Sequence, residues 1–297
     1  MSIIALTEKS NPKTTNIDLM ETKQILQVIN QEDQKIAKAV AKEIDSITQA
    51  VDLMVKSLSS GGKVGYFAAG TSGRLGVLDA SEMPPTFGVS SELFQAFIAG
   101  GEQAVRHAVE NAEDRADLAD EDYKRFAPSA QDIVIVISAS GNPQYVLRIL
   151  EQAQKDGITT IGISSNPKAA IKKLCHVFIC PRVGAEVITG SSRMKSGTAQ
   201  KMILNMLSTA TMIRLGKTYQ NYMIDLNVNN VKLRDRACRI ISGICNIDIR
   251  EASEWLKNAK NNVKTACVMA HKKCSIKQAE KLLAQHQGIL RKIIKDK

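Results

Sequence analysis

The sequence predicts an α/β fold built on a parallel β-sheet with helices on both faces. Short apolar runs alternate with helical patterns through the middle of the chain, which is typical of a parallel sheet. The runs are continuous, as in strands that are covered on both faces. Each is followed by Gly, Ser, Asn or Pro, which end strands. The five predicted strands span 63–69, 93–98, 133–137, 158–163 and 176–180.

Helical patterns surround these strands. Residues 1–18 are polar and predict an extended arm, whereas residues 20–58 carry apolar side chains at three- and four-residue steps and predict one or two amphipathic helices. Residues 145–155, 168–174 and 198–215 predict further helices. Earlier in the chain, a helix that carries Glu82 is expected to stop at Pro84 and Pro85, because proline lacks the backbone donor that a helix requires.

The end of the chain has a different pattern. No strand signal follows Asn221, and short helices are predicted at 229–244, 249–257, 262–271 and 275–284. Asp248 and Ser275 are predicted N-caps. We therefore expect three parts: an N-terminal arm with helices (1–53), the sheet domain (54–217) and a small all-helical C-terminal domain (218–297).

The positive charge of the chain lies mostly in that last part. The formal net charge is +10, with −1 in residues 1–58, +2 in 59–217 and +9 in 218–297. A nucleic-acid partner is not expected, because the basic region has one Trp and no interleaved aromatic residues. No apolar run reaches the length of a membrane span, and the beginning of the chain does not resemble a secretory signal. Six Cys without a CxxC pair predict reduced thiols in a cytoplasmic protein.

Three segments rich in hydroxyl residues and glycine precede helices at one edge of the predicted sheet. They are 70–76, 138–142 and 190–197. Glycine allows the backbone to approach a ligand, helix N-terminal amides point outward, and hydroxyls can donate to oxygens. Together they predict a site for a phosphate monoester, although each segment alone could be an ordinary turn or cap. The glycine spacing matches neither a dinucleotide fingerprint nor a P-loop.

Charged residues beside these segments have two possible roles. Arg74 and Lys195 could offset the charge of a phosphate, or each could form an ion pair on a helix face. Glu82 and Glu113 lie near the same edge of the sheet, although most carboxylates on a protein are solvated surface groups. Glu110 and Glu113 are expected to share a helix face, because they are three residues apart.

A metal site has one weak candidate. Cys267, His271 and Cys274 are spaced to lie along one side of a helix. This spacing could present three ligands, but it is more often a packed helix face, since small thiols are commonly buried.

Several strings resemble the N-acetylmuramic acid 6-phosphate etherases. They include residues 69–76, the DASE string at 79–82 with Pro84-Pro85, residues 99–102, and GSSRMK at 190–195. The likeness extends over essentially the whole chain, from Thr7-Glu8 to the segment 285–292. It implies a sugar-isomerase (SIS) three-layer fold with a five-stranded parallel sheet, and a cytoplasmic homodimer that uses neither a metal nor an organic cofactor.

The resemblance also implies a reaction and site residues. The family cleaves the D-lactyl ether of N-acetylmuramic acid 6-phosphate by elimination and hydration. Glu82 matches the proton donor and Glu113 matches the general base. Thr71, Ser72, Ser138, Ser140 and Ser192 match positions that bind phosphate in SIS folds. Pro143 stands where the isomerase branch commonly carries a further hydroxyl residue.

Two other functions remain open from the sequence. A sugar-phosphate-sensing regulatory protein would bind the same ligands without turnover. An aldose–ketose isomerase would also abstract a C2 proton, but it would not need Glu82 as an acid for a leaving group.

Overall fold

The computed structural model describes residues 8–228 and 230–294. Thr7, which belongs to the family-like beginning of the chain, and Asn229, the first residue of a predicted helix, lie outside this description. The described chain divides into two compact units. The first contains residues up to Ser81 together with Ser91–Ser208, and the second contains Glu82–Ser90 together with residues from Thr209 onward. The bounds 1–53, 54–217 and 218–297 remain a prediction.

The first unit is built on the predicted five-stranded parallel sheet. The strand order is β2-β1-β3-β4-β5, with every neighbouring pair parallel. β1 and β3 are buried along their full length, which explains why their sequences are continuously apolar. The strands are β1 (Val64–Ala68), β2 (Phe94–Ile98), β3 (Ile133–Ile137), β4 (Thr159–Ile163) and β5 (Val177–Ile179).

Helices surround this sheet in the order that the α/β prediction requires. α3 and α7 begin in the first unit and continue into the second. The region predicted as a helix at 168–174 is instead a short 3-10 helix at Ala170–Leu174. The α-helices are α1 (Thr22–Ala41), α2 (Ile44–Ser59), α3 (Gly70–Phe87), α4 (Gly101–Arg106), α5 (Ala116–Phe126), α6 (Gln144–Lys155) and α7 (Lys195–Arg214).

The expectation that Pro84 and Pro85 stop a helix is wrong, because α3 continues through both to Phe87. Each proline removes only one backbone donor, and its fixed φ is compatible with a helix. Met83 and Phe87 are buried on either side of the two prolines and hold this last turn in place. Gly88 N then donates to Pro84 O at 2.9 Å.

An aromatic cluster lies on one face of the sheet. The rings of Phe67 and Phe97 stack with their centroids 4.8 Å apart, and Phe126 contacts both rings edge-on. Position 65 in β1 must be glycine, because a Cβ there would lie 2.7 Å from the Phe67 ring and 2.9 Å from the Phe126 ring. This packing fixes β1, whose carboxyl end leads into α3.

The second unit is mainly helical. Its buried core includes Ile241, Leu256 and Val268. The predicted N-caps Asp248 and Ser275 are confirmed, since their side chains accept hydrogen bonds from the first turns of α9 and α11. An antiparallel hairpin with strands of two residues each, β6 (Thr218–Tyr219) and β7 (Tyr222–Met223), precedes the helices. These strands were not predicted from the sequence. The helices are α8 (Val231–Cys245), α9 (Ile249–Asn258), α10 (Val263–Lys272) and α11 (Ile276–Gln285).

Among the described residues, none of the helices is both long enough and apolar enough to cross a membrane.

Candidate active site

A cavity of about 290 Å³ lies in the first unit, where the chain leaves β1 and β3. It contains six of the nine residues that the sequence analysis proposed for the site. Ligands of open parallel sheets bind at this edge, beyond the carboxyl ends of the strands. The lining residues are Glu8, Ala69, Gly70, Thr71, Ser72, Glu113, Ile137, Ser138, Ala139, Ser140, Pro143, Val146, Gly190 and Ser192.

The N-terminus of α3 forms one wall of this cavity. Gly70 follows β1 with φ +54°, a left-handed conformation that glycine adopts without strain. The hydroxyls of Thr71 and Ser72 lie in the first turn, where backbone amides lack intrahelical partners. Ser72 is buried and its hydroxyl donates to Gln200 Oε1 at 2.9 Å. The Ser72 side chain is therefore fixed, and α3 presents amides and one further hydroxyl to a ligand.

The segment after β3 forms a second, rigid wall. Ser138 is buried, and its Oγ accepts a hydrogen bond from Gly141 N at 3.0 Å. Asn166 Nδ2 donates to Ser140 O at 3.0 Å, and Ser164 Oγ donates to Ala139 O at the same distance. The backbone of this segment is thus held by side chains from beyond β4. Because Ser138 Oγ acts as an acceptor towards Gly141, its own proton is available for an oxygen of a ligand.

Glu113 lies in a short 3-10 helix, Ala112–Asp114, rather than on an α-helix. The expectation that Glu110 and Glu113 share a helix face is wrong, because α4 ends at Arg106 and Asn111 adopts a left-handed conformation with φ +58°. Burial raises the pKa of the Glu113 carboxyl above its usual value, and the neighbouring Asp114 carboxylate adds to the increase. A carboxylate with a raised pKa is a better proton acceptor near neutral pH.

The third hydroxyl segment reaches the cavity through Gly190 and Ser192, but the helix that follows it is already capped. The fully buried Glu186 carboxylate accepts hydrogen bonds from Lys195 N and Ser196 N, each at 2.9 Å. A carboxylate in this position is favoured by the helix dipole. The first amides of α7 are therefore occupied, unlike the N-terminus of α3, which opens into the cavity.

The two predicted cations lie outside the cavity lining. Lys195 is 1% exposed, and its Nζ donates to Glu32 Oε2 at 2.7 Å. Burial alone would raise the pKa of Glu32, but hydrogen bonds and charge from Lys195 and Lys35 outweigh it and lower that pKa to about 2. Arg74 donates from Nε to Val105 O at 2.9 Å and from its terminal nitrogen to His107 O at 3.1 Å. Both side chains thus have structural partners, and a role in binding phosphate stays a prediction.

Glu82 is exposed and belongs to the part of α3 that is in the second unit. Three residues earlier, Asp79 is buried in the first unit and accepts hydrogen bonds from Tyr66 Oη at 2.9 Å, Asn205 Nδ2 at 3.0 Å and Ser208 Oγ at 3.1 Å. Burial raises the pKa of Asp79 despite these donors. This network attaches α3 to β1 and α7 immediately before Glu82.

Comparisons with known proteins agree with this geometry. A model of the glucokinase regulatory protein N-terminal SIS domain matches residues 46–154, and the SIS domain model matches residues 117–210. A phosphoheptose isomerase from Francisella tularensis superposes with a TM-score of 0.51 at 18% identity, covering 66% of this chain and 100% of the isomerase. The phosphoheptose isomerase of Neisseria gonorrhoeae also gives 0.51, at 16% identity, covering 64% and 98%. These structures share the fold over about two thirds of this chain.

Curated relatives extend over nearly the whole chain. The N-acetylmuramic acid 6-phosphate etherase of Geobacillus sp. (strain WCH70) is 47% identical over 288 residues, which cover 97% of this chain and 98% of the relative. The etherase of Clostridium acetobutylicum is 48% identical over 289 residues, covering 97% and 96%. The chain belongs to the N-acetylmuramic acid 6-phosphate etherases. The predicted SIS-type α/β fold is thereby confirmed.

The structure of this etherase adds residues that sequence reasoning did not assign to the site. Glu8 lines the cavity, and its only signal in the sequence was the family-like beginning of the chain. Glu186 had no role assigned from the sequence, because its partners are backbone amides that only the folded chain brings to it. Gln200 orients Ser72 from one turn inside α7.

The cysteines of the etherase do not contribute to this cavity. Cys267 is fully buried in the core of the second unit, and Cys274 packs against the same core. Within 8–228 and 230–294, no three His, Cys, Asp or Glu side chains are arranged to hold a metal ion. The three residues Cys267, His271 and Cys274 do not share one side of a helix, because α10 ends at Lys272 and Cys274 follows the left-handed Lys273.

Proposed function

We propose that this etherase cleaves the D-lactyl ether at C3 of N-acetylmuramic acid 6-phosphate, giving N-acetylglucosamine 6-phosphate and D-lactate. The observation that carries the proposal is the full-length similarity to curated etherases. The cavity supports this proposal, because the cavity combines a hydroxyl-lined anion site with the Glu113 carboxylate, whose pKa is raised. The activity belongs to cell-wall recycling.

The phosphate is bound between α3 and the segment after β3. The open N-terminus of α3 supplies amides and the Thr71 hydroxyl, while Ser138 and Ser140 supply hydroxyls from the opposite wall. The Ser138 hydroxyl and the backbone of residues 139 and 140 are held by hydrogen bonds before the ligand arrives, so binding does not have to order them. Arg74 and Lys195 are not needed in this arrangement, since both have other partners.

The chemistry is an elimination followed by the addition of water. In the open-chain sugar, Glu113 removes the proton from C2, which the C1 aldehyde makes acidic. The electrons form the C2–C3 double bond as the C3–O bond breaks, and Glu82 protonates the departing lactate oxygen. Water then adds its oxygen to C3 and C2 regains a proton. The two carboxyl groups must hold opposite protonation states, which requires different environments.

Two findings distinguish this function from the alternatives. The match to a regulatory-protein SIS model covers residues 46–154, whereas etherase relatives cover 97% of the chain. The fold similarity to phosphoheptose isomerases is limited to about two thirds of the chain. An enzyme of the etherase type is therefore favoured over a sensor and over an aldose–ketose isomerase.

A lactate assay tests the proposal. Purified protein incubated with N-acetylmuramic acid 6-phosphate is expected to release D-lactate, and unphosphorylated N-acetylmuramic acid is expected to react far more slowly. In deuterated water, Glu82→Gln is expected to stop lactate release while still exchanging the C2 proton, and Glu113→Gln to stop both. Folded protein that releases no lactate would contradict the function, and the reverse exchange pattern would exchange the two roles.

We also propose a cytoplasmic homodimer. The helices α1 and α2 expose Leu26 and Ile44 to 61% and 44%, which is consistent with an apolar surface covered by a second copy. Light scattering coupled to gel filtration is expected to give twice the mass of 32.4 kDa, whereas a monomer would refute the dimer.

A further inference from the structure

The N-terminal arm brings a second carboxylate to the cavity, in addition to Glu113. Glu8 is one of its lining residues, although it lies more than sixty positions before the first strand-end residue of the same cavity. A Cβ placed on Gly190 would be 3.0 Å from Glu8 Oε2, so the carboxylate lies directly against the Gly190 backbone. Gly190 has φ +77°, and the absence of a side chain there leaves room for Glu8.

Two buried side chains fix the arm that carries Glu8. Thr14 Oγ1 donates to Val187 O at 2.7 Å, and Asn11 Nδ2 donates to Ala185 O at 3.4 Å. Thr14 and Asn11 are only 7% and 6% exposed. The intervening residue, Glu186, holds the N-terminus of α7. One short segment therefore attaches both the arm and α7, and it places Glu8 beside the Gly190–Ser192 loop.

The charges divide the cavity into two ends. At the end formed by the α3 N-terminus, Ser138 and Ser140, amides and hydroxyls are donors and suit an anion. At the end formed by Glu8 and Gly190, the α7 amides are occupied by Glu186 and the Glu8 carboxylate adjoins the loop. A phosphate or a lactate carboxylate would be repelled by Glu8, whereas neutral hydroxyl or amide N–H groups would be bound.

We propose that Glu8 is a substrate-binding residue that accepts a hydrogen bond from a neutral donor of the sugar, a hydroxyl or the acetamido N–H, and so marks the sugar end of the cavity. This inference rests on the proposed site and extends it, because it fixes the direction in which a phosphosugar lies between the two ends.

The test compares Glu8→Gln and Glu8→Ala with Lys9→Ala, a matched control at the next exposed position of the arm. For each protein, kcat and KM are measured with N-acetylmuramic acid 6-phosphate, together with the inhibition constant of inorganic phosphate. Glu8→Ala is expected to raise KM roughly ten- to hundredfold with kcat changed less than about threefold, since a hydrogen bond to a charged acceptor contributes about this much to binding. Phosphate inhibition is expected to be unchanged or stronger, and Glu8→Asp to restore part of the affinity.

The outcomes separate the inference from the proposed site. A KM for Glu8→Ala equal to that of Lys9→Ala would overturn the role of Glu8. If Glu8→Ala raises the inhibition constant of inorganic phosphate as much as it raises KM, the role of Glu8 is also overturned, because Glu8 would then support the phosphate end. If wild-type protein is insensitive both to inorganic phosphate and to Ser140→Ala, the proposed phosphate site fails before Glu8 is tested, and the inference fails with it.

Discussion

Removing Lys195 is expected to destabilise the protein far more than removing an exposed lysine. Its ammonium is 1% exposed and lies 2.7 Å from Glu32 Oε2, and the Glu32 side chain is 2% exposed. Breaking a buried ion pair from one side costs about 3–5 kcal/mol, because a charge is left buried without its partner. The shift in pKa gives a similar size. The pKa of Glu32 falls from 4.5 to about 2, which corresponds to roughly 3 kcal/mol for Lys195 and Lys35 together at about 1.4 kcal/mol per pKa unit.

The pH dependence of this contribution has a definite sign. The pKa of Glu32 is lower in the folded protein than in the unfolded chain, so the stabilisation is complete above pH 4.5 and is lost as the pH falls towards 2. The variant Lys195→Met is expected to lose most of this stabilisation at pH 7. It is therefore expected to differ less from the wild type at pH 3 than at pH 7.

Urea unfolding followed by circular dichroism measures these differences. Lys35→Met serves as the control, because Lys35 pairs with the same carboxylate but is 47% exposed and is expected to contribute under about 1 kcal/mol. The double variant Glu32→Met/Lys195→Met is expected to be more stable than Lys195→Met alone, since no buried charge is left unpaired. A free energy of unfolding for Lys195→Met within about 0.5 kcal/mol of the wild type would show that the buried ion pair does not stabilise the fold.

Three further predictions concern the site. Because the pKa of Glu113 is raised, kcat/KM is expected to fall on the acidic side with an apparent pKa above the usual range of a glutamate. A fall centred near pH 4 would contradict Glu113 as the base. The double variant Ser138→Ala/Ser140→Ala is expected to raise KM and the inhibition constant of inorganic phosphate together, at least tenfold, and unchanged inhibition would refute the phosphate end. Asp79→Asn is expected to cost about 1–3 kcal/mol in urea unfolding, since its amide cannot accept all three hydrogen bonds that Asp79 receives, and an unchanged midpoint would show that the network is dispensable.

The sheet was predictable from the sequence because burial on both faces leaves a local mark. Each strand of the sheet is a continuous apolar run that ends in turn residues, so β1 and β3 could be located from composition alone. Their hydroxyl-rich ends could be placed together because the carboxyl ends of parallel strands share an edge. This reasoning places the hydroxyl residues at one edge, and the cavity is lined by Thr71, Ser72, Ser138, Ser140 and Ser192. Glu113, which also lines it, was singled out with the help of the family resemblance.

Other features depend on distant parts of the chain and left no local signal. Whether Lys195 faces a ligand or an ion pair depends on Glu32, which is 163 positions away. The continuation of α3 past two prolines depends on the burial of Met83 and Phe87. Glu113 lies on a 3-10 turn because Asn111 takes a left-handed conformation, which neighbouring helix-forming residues conceal.

Isotope labelling tests the proposed reaction, an elimination followed by hydration. The protein is incubated with N-acetylmuramic acid 6-phosphate in water enriched in ¹⁸O and deuterium, and the labels in both products are located by mass spectrometry of their fragments. N-acetylglucosamine 6-phosphate is expected to carry ¹⁸O at C3 and one deuterium at C2, while the ether oxygen of D-lactate remains unlabelled. An ¹⁸O label at that oxygen of lactate, or a product without deuterium at C2, would contradict this reaction.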